Sequence, residues 1–93
     1  MTALKTSLNA QFTAQVSNFI DNFCVFEDRY KGPILCFILE DHFDYGKKVI
    51  THTGSVMIFY NEDLKPATEY FIQSILERAS QSFRDTVIAD LRV

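Results

Sequence analysis

Pro33-Ile34-Leu35-Cys36-Phe37-Ile38-Leu39 constrains this chain more than any other stretch. It has the length of a β-strand and is apolar at every position, so it turns an apolar side chain to both faces of whatever sheet it joins. A chain of 93 residues makes one domain, and a domain of that size buries roughly 60–65% of the surface its unfolded form exposes. Helices from the same chain can cover one sheet face. What covers the other decides how the domain presents itself to other molecules.

Residues 27–33 break the preceding helix, and Gly32 with Pro33 makes that boundary, and so the start of the strand, firm. The spacing predicts three strands, over residues 34–40, 47–53 and 56–60. Gly54-Ser55 suits a two-residue hairpin turn with glycine first. That register sets Thr53 opposite Val56, Thr51 opposite Ile58 and Val49 opposite Tyr60, and again both faces carry apolar residues. Two readings stand open between the first two strands. Leu35, Phe37, Leu39, Phe43 and Tyr45 keep one parity while Glu40, His42 and Asp44 keep the other, which lets the strand run to about Asp44 and turn at Tyr45-Gly46. A looser loop over residues 40–46 fits equally well.

Leu4, Leu8, Phe12, Val16, Phe19, Ile20 and Phe23 recur at three- and four-residue steps and predict an amphipathic helix over residues 6–26. Ile72, Ile75, Leu76, Ala79 and Phe83, continued by Val87 and Leu91, predict a second helix to about Asp90. Pro66 suits its first turn, with Asp63 or a neighbour as cap. Residues 86–93 are β-branched and also alternate, so a short fourth strand is the alternative ending. The expected fold is α+β: a three-stranded antiparallel meander with a long N-terminal helix and a long C-terminal helix, in a single domain of residues 1–93.

The order helix, three strands, helix resembles that of double-stranded RNA-binding domains, in topology alone. Those domains grip phosphate with a lysine cluster opening the second helix, whereas Lys65 has Glu62, Asp63 and Glu69 around it. A formal charge of −3 also weighs against direct nucleic-acid binding, since phosphate affinity comes from Lys and Arg. The polar side of the first helix holds Thr, Ser, Asn and Gln, not the Lys and Arg of a membrane-surface helix. The longest apolar run is far short of the ~20 residues of a membrane span. No signal-peptide pattern opens the chain, so the expected location is the cytoplasm.

Candidate chemistry is sparse. Cys24 and Cys36 form no CxxC pair and sit among apolar neighbours, which reads as two buried thiols, with a bridge or redox pair as the lesser alternative. His42 and His52 lack a third ligand at zinc spacing, and Cys36 in an apolar strand is poorly placed to be a thiolate. No nucleophile elbow, metalloprotease motif, P-loop or dinucleotide fingerprint occurs. No enzyme activity, cofactor or metal is expected.

The best candidate site is acidic. In a meander the ends of the first and third strands share an edge, so Glu40, Asp41 and Asp44 converge with Glu62 and Asp63. Phe43 and Tyr45 add aromatics to that rim, as binding hot spots do. A solvated rim, with Asp63 capping a helix, is the plainer reading. A Mg²⁺ or Ca²⁺ site is a third, although no loop matches a calcium cage.

The expected function is non-catalytic protein binding. With two helices on one sheet face, the other would expose an apolar area of about several hundred Å², more than monomers usually show, so a homodimer through sheet or helices is expected. Glu40, Asp41, Phe43, Asp44, Tyr45, Glu62 and Asp63 are the expected contacts for a basic surface on another protein. A small acidic adaptor or inhibitor, of the kind found among accessory proteins of phages and mobile elements, has this profile. The alternative is a metal-dependent or small-molecule-binding protein using the same carboxylates.

Overall fold

The computed structural model describes residues 19–42 and 44–91, with the side chains of His42 and Leu91 left aside. Residues 6–18 of the expected first helix lie outside the described residues. Its last residues do not: Ile20–Asn22 forms one 3₁₀ turn and Phe23–Asp28 forms strand β1, so the α-helix does not reach Phe26. The helical spacing that ends at Phe23 runs into Cys24-Val25-Phe26, and four consecutive apolar residues satisfy a period of two as well as one of 3.6. β-branched and aromatic content favours the strand.

Four more strands follow: β2 (Gly32–His42), β3 (Gly46–Thr51), β4 (Val56–Tyr60) and β5 (Leu64–Pro66). A single 3₁₀ turn, Asn61–Asp63, joins β4 to β5. Two short helices close the described chain, α1 (Glu69–Leu76) and α2 (Gln81–Leu91). The sheet therefore has five antiparallel strands in the order β4-β3-β2-β1-β5, not three.

That order bends the sheet. β4 and β5 lie at opposite ends of the hydrogen-bonded row, yet only three residues connect them. The row must curl until its ends approach, giving a small, partly open barrel. Phe26 of β1 and Phe59 of β4 meet across the inside, with ring centroids 4.1 Å apart and planes 9° from parallel.

The curl settles what covers β2. Cys36 packs inside the barrel with Cys24, Val49, Phe26, Ile34, Ile38, Phe59 and Leu64. Leu35 and Phe37 point the other way, into a second core shared with Phe23, Val25 and Ile50 of the sheet and with Ile72, Ile75, Leu76, Phe83 and Val87 of the helices. Leu35, Cys36 and Phe37 are each 0% exposed, so both faces of this strand are sealed within one chain. Leu35 and Phe37 each contribute about 1.5–3 kcal/mol of burial. The bare sheet face expected to call for a second subunit does not exist along β2.

The helical end also differs from expectation. Pro66 lies in β5, at the sheet edge where a missing N–H costs no ladder bond. Thr68, not Asp63, caps α1, its Oγ1 accepting the Phe71 N–H at 3.1 Å. One long helix becomes two because Ser80 starts a new one: its Oγ accepts the Phe83 N–H at 3.2 Å and its own N–H donates to the His52 carbonyl at 2.8 Å. Ala79 and Phe83 keep four-residue spacing across the break, which hides it from a periodicity reading. The alternative ending as a fourth strand also fails, since α2 continues to Leu91 and buries Val87.

The β3–β4 hairpin turns on three residues, His52-Thr53-Gly54, rather than on Gly54-Ser55. Gly54, at φ +96°, donates to the Thr51 carbonyl at 2.9 Å, and the Thr51 N–H donates to the Ser55 carbonyl at 2.8 Å. Glycine is thus the left-handed third residue of the loop, not the first of two. The register moves by three, pairing Val49 with Met57 and Ile50 with Val56. An odd shift exchanges faces. Phe59 thereby points into the barrel and Ile58 away from it.

Candidate interaction surface

β4 is a sheet edge, and among the described residues it pairs with β3 alone. Its sequence, Val-Met-Ile-Phe-Tyr, contains no charge and no proline, and no bulge interrupts its pairing. Those are the devices by which edge strands ordinarily discourage pairing with another chain. Val56, Met57, Ile58 and Tyr60 are 55%, 44%, 62% and 62% exposed, so backbone edge and apolar side chains are both open to a partner. The helices that cover the outer faces of β1, β2 and β3 stop short of β4: Ile50 is buried and its partner Val56 is not.

At the Tyr60 end of β4 the surface becomes acidic. The β2–β3 turn and the 3₁₀ turn are tied by the Asn61 N–H donating to the Tyr45 carbonyl at 2.9 Å. Asp44, Tyr45, Tyr60, Asn61 and Glu62 line a cleft of about 320 Å³ there, and Asp63 follows in the same 3₁₀ turn. Not all the expected carboxylates share this cleft. Asp41 bridges to Lys47 at 3.2 Å, and Glu40 stands opposite Lys48 in the ladder. A register shift between Ile38 and Glu40 sets up these two pairings. Phe43 lies outside the described residues. β2 runs on to His42, which favours the longer of the two strand readings.

The Val56 end of β4 has the opposite character. A cleft of about 480 Å³ is lined by Lys31, Pro33, Ile34, His52, Thr53, Arg78 and Ser80, with two permanent cations and no carboxylate. His52 is fixed there through its Nδ1, which accepts the Leu35 N–H at 3.1 Å. Burial, and then the Arg78 charge, hold its pKa below the usual imidazole range, so it is neutral at pH 7 and carries its proton on Nε2. The two clefts thus differ in charge, cationic beside the His52–Gly54 loop and acidic at the Tyr60 end of β4.

Among the described residues no three His, Cys, Asp or Glu side chains are grouped to hold a metal ion. No helix among them is long and apolar enough to cross a membrane. Compared with known proteins, the chain matches no family model, no curated protein and no solved structure.

The open edge was not singled out from sequence, although one signal for it was there. Residues 56–60 follow a turn, carry no charge and precede Asn-Glu-Asp. The cationic end left less trace, because Lys31, His52 and Arg78 are far apart in the chain.

Proposed function

We propose that this chain is a protein-binding module, non-catalytic, whose first partner is a second copy of itself joined through β4. The observation that carries the reading is the apolar, exposed edge of β4, which among the described residues pairs with β3 alone. The difference in charge between the two clefts supports a second copy as the occupant. When β4 pairs antiparallel with β4 of the partner about a two-fold axis, the Asp44–Glu62 cleft of each copy faces the Lys31–Arg78 cleft of the other. Two-fold pairing is the commonest closed assembly, and it consumes both open edges at once.

Light scattering of the full chain at micromolar concentration tests this. A dimer mass is expected for the native chain and a monomer mass for Ile58→Lys, whose side chain is exposed and whose fold should persist. A single monomer peak for the native chain overturns the reading.

A second reading rests on the acidic cleft, where Tyr45 and Tyr60 are each 62% exposed beside Asp44 and Glu62. Aromatic side chains ringed by charge suit docking on a basic protein surface, which is the adaptor or inhibitor role. Reversing Asp44 and Glu62 to Lys should then abolish binding to a basic partner while the fold is retained. Asp41 is a poorer choice for that test, because its carboxylate is held by Lys47.

A further inference from the structure

Cys24 on β1 and Cys36 on β2 are directly opposite each other in the ladder, both point into the barrel, and both are free thiols. Opposed residues of an antiparallel pair have Cα atoms about 4.5–5.5 Å apart, within the roughly 4.4–6.8 Å that a disulfide spans. Because the two cysteines are twelve residues apart and on different elements, the sequence offers a bridge or redox pair only as their lesser reading.

The two sulfurs are not equivalent. Cys36 is 0% exposed, and its Sγ lies 3.6 Å from the Ile34 carbonyl oxygen. Cys24 lines a cleft of about 500 Å³ between the Ile20–Asn22 turn and β5, whose walls also include Ile38, Lys47 and Lys65. The adjoining Cys36 thiol, reinforced by the Lys47 charge, lowers the Cys24 pKa against the opposing effect of burial. The Cys24 neighbour and burial push Cys36 up, so it keeps its proton. Cys24, 5% exposed, is the one of the two that lines the cleft, and Cys36 is fully enclosed.

We propose that Cys24 and Cys36 are a redox-active dithiol, with Cys24 attacking and Cys36 resolving, oxidised by a low-molecular-weight disulfide that enters through this cleft. The Cys24 thiolate attacks one sulfur of the small disulfide RSSR. That S–S bond breaks, a Cys24–S–S–R bond forms, and the first RS⁻ leaves and is protonated. Cys36 then attacks the Cys24 sulfur and expels the second RS⁻, the Cys36 proton passing to that leaving thiolate. The sum is two thiols and RSSR giving the Cys24–Cys36 disulfide and two RSH, so the protein loses two electrons and the small disulfide gains them. Opposed Cβ atoms in a sheet are about 4.5–5.5 Å apart, so the strands draw together slightly to close the bridge, and strained bridges are the readily reduced ones. The change is reversible by thiols of the same class.

The test is incubation of the native full chain with glutathione disulfide, read by intact mass and peptide mapping after an acid quench. The expected product has lost two hydrogens, contains a Cys24–Cys36 linked peptide and returns to the starting mass with dithiothreitol. Cys36→Ser should accumulate one glutathione on Cys24. Cys24→Ser should react at Cys36 at least about tenfold more slowly until urea unfolds it, because access and thiolate character set the rate. A native chain that keeps both thiols until it is unfolded overturns the proposal, as does a first adduct at Cys36 or a bridge between two chains. The measurement on the native chain decides even where a serine variant folds poorly.

Discussion

Phe26 and Phe59 stack nearly parallel, 4.1 Å between centroids, although two strands separate β1 from β4 in the sheet. The pair closes the barrel from within. Neither ring is fully buried, so the expected cost of Phe59→Ala is about 2–3 kcal/mol, below the 3–5 kcal/mol typical of a fully buried phenylalanine. Phe26→Ala should cost a similar amount. The double variant should cost less than the sum, by about 0.5–1.5 kcal/mol, because stacked rings couple directly. Urea unfolding of the two single variants and the double measures this. Simple additivity shows that the rings do not hold the ends of the sheet together.

Two glycines with positive φ should respond differently to alanine. Gly32, at φ +80°, has nothing within 4 Å of an added Cβ, so only backbone strain of about 1 kcal/mol is expected. Gly54, at φ +96°, would place Cβ 2.8 Å from Ser82 Oγ and 3.0 Å from Ser80 Oγ. Ser80 caps α2, so moving it adds the loss of a cap to the strain, about 2–3 kcal/mol in all. Thermal melts of Gly32→Ala and Gly54→Ala should rank in that order, and equal losses argue against α2 resting on the hairpin.

The hairpin also shows how much of this fold the sequence discloses. Residues 56–60 are assigned as a strand by their pattern alone, with the observed bounds. Their register is not, because Gly54 serves a two-residue and a three-residue loop equally well and only the Thr51–Ser55 hydrogen bonds distinguish them. β1 is concealed for another reason: four apolar residues in a row at Phe23 carry no periodicity to read. β5 has three residues and a proline, so it exists only through its partner β1. With both invisible, the curl of the sheet is invisible too, and β2 is left with one face uncovered, which calls for a second subunit. The acidic end is more legible, since Asp44 and Glu62 flank strands whose order is evident. Its partial neutralisation by Lys47 and Lys48 depends on register and is not.

Stability should fall on mild acidification, through His52. Burial and Arg78 keep its folded pKa below the unfolded value of about 6.5. Between those two values the unfolded chain binds more protons than the native one, so stability rises with pH there. The contribution is complete above about pH 6.5 and is lost as pH drops through the folded value. Protonation also removes the Nδ1 acceptor from the Leu35 N–H. His52→Asn offers an amide oxygen in its place and should flatten the melting curve between about pH 7 and 5. Asp28 is a separate window: the N–H groups of Tyr30 and Lys31 lower its pKa, so its effect appears in stronger acid. An unchanged slope in His52→Asn removes His52 as the cause.

The direction of pairing at β4 can be tested through charge. In the antiparallel arrangement Glu62 of one copy approaches the Lys31–Arg78 end of the other, twice per dimer. Glu62→Lys should therefore weaken dimerisation, by about two- to thirtyfold at low salt, since each of the two exposed charge pairs contributes about 0.2–1 kcal/mol. Arg78→Glu should weaken it similarly. The double variant Glu62→Lys with Arg78→Glu restores opposite charges across the axis and should recover much of the loss. Added salt should shrink all three differences, because charges at the rim are screened over about 10 Å at 0.1 M. Parallel pairing or a face-to-face contact joins like ends instead. In either arrangement the double variant is no better than the worse single one, and sedimentation equilibrium of the four proteins separates these outcomes.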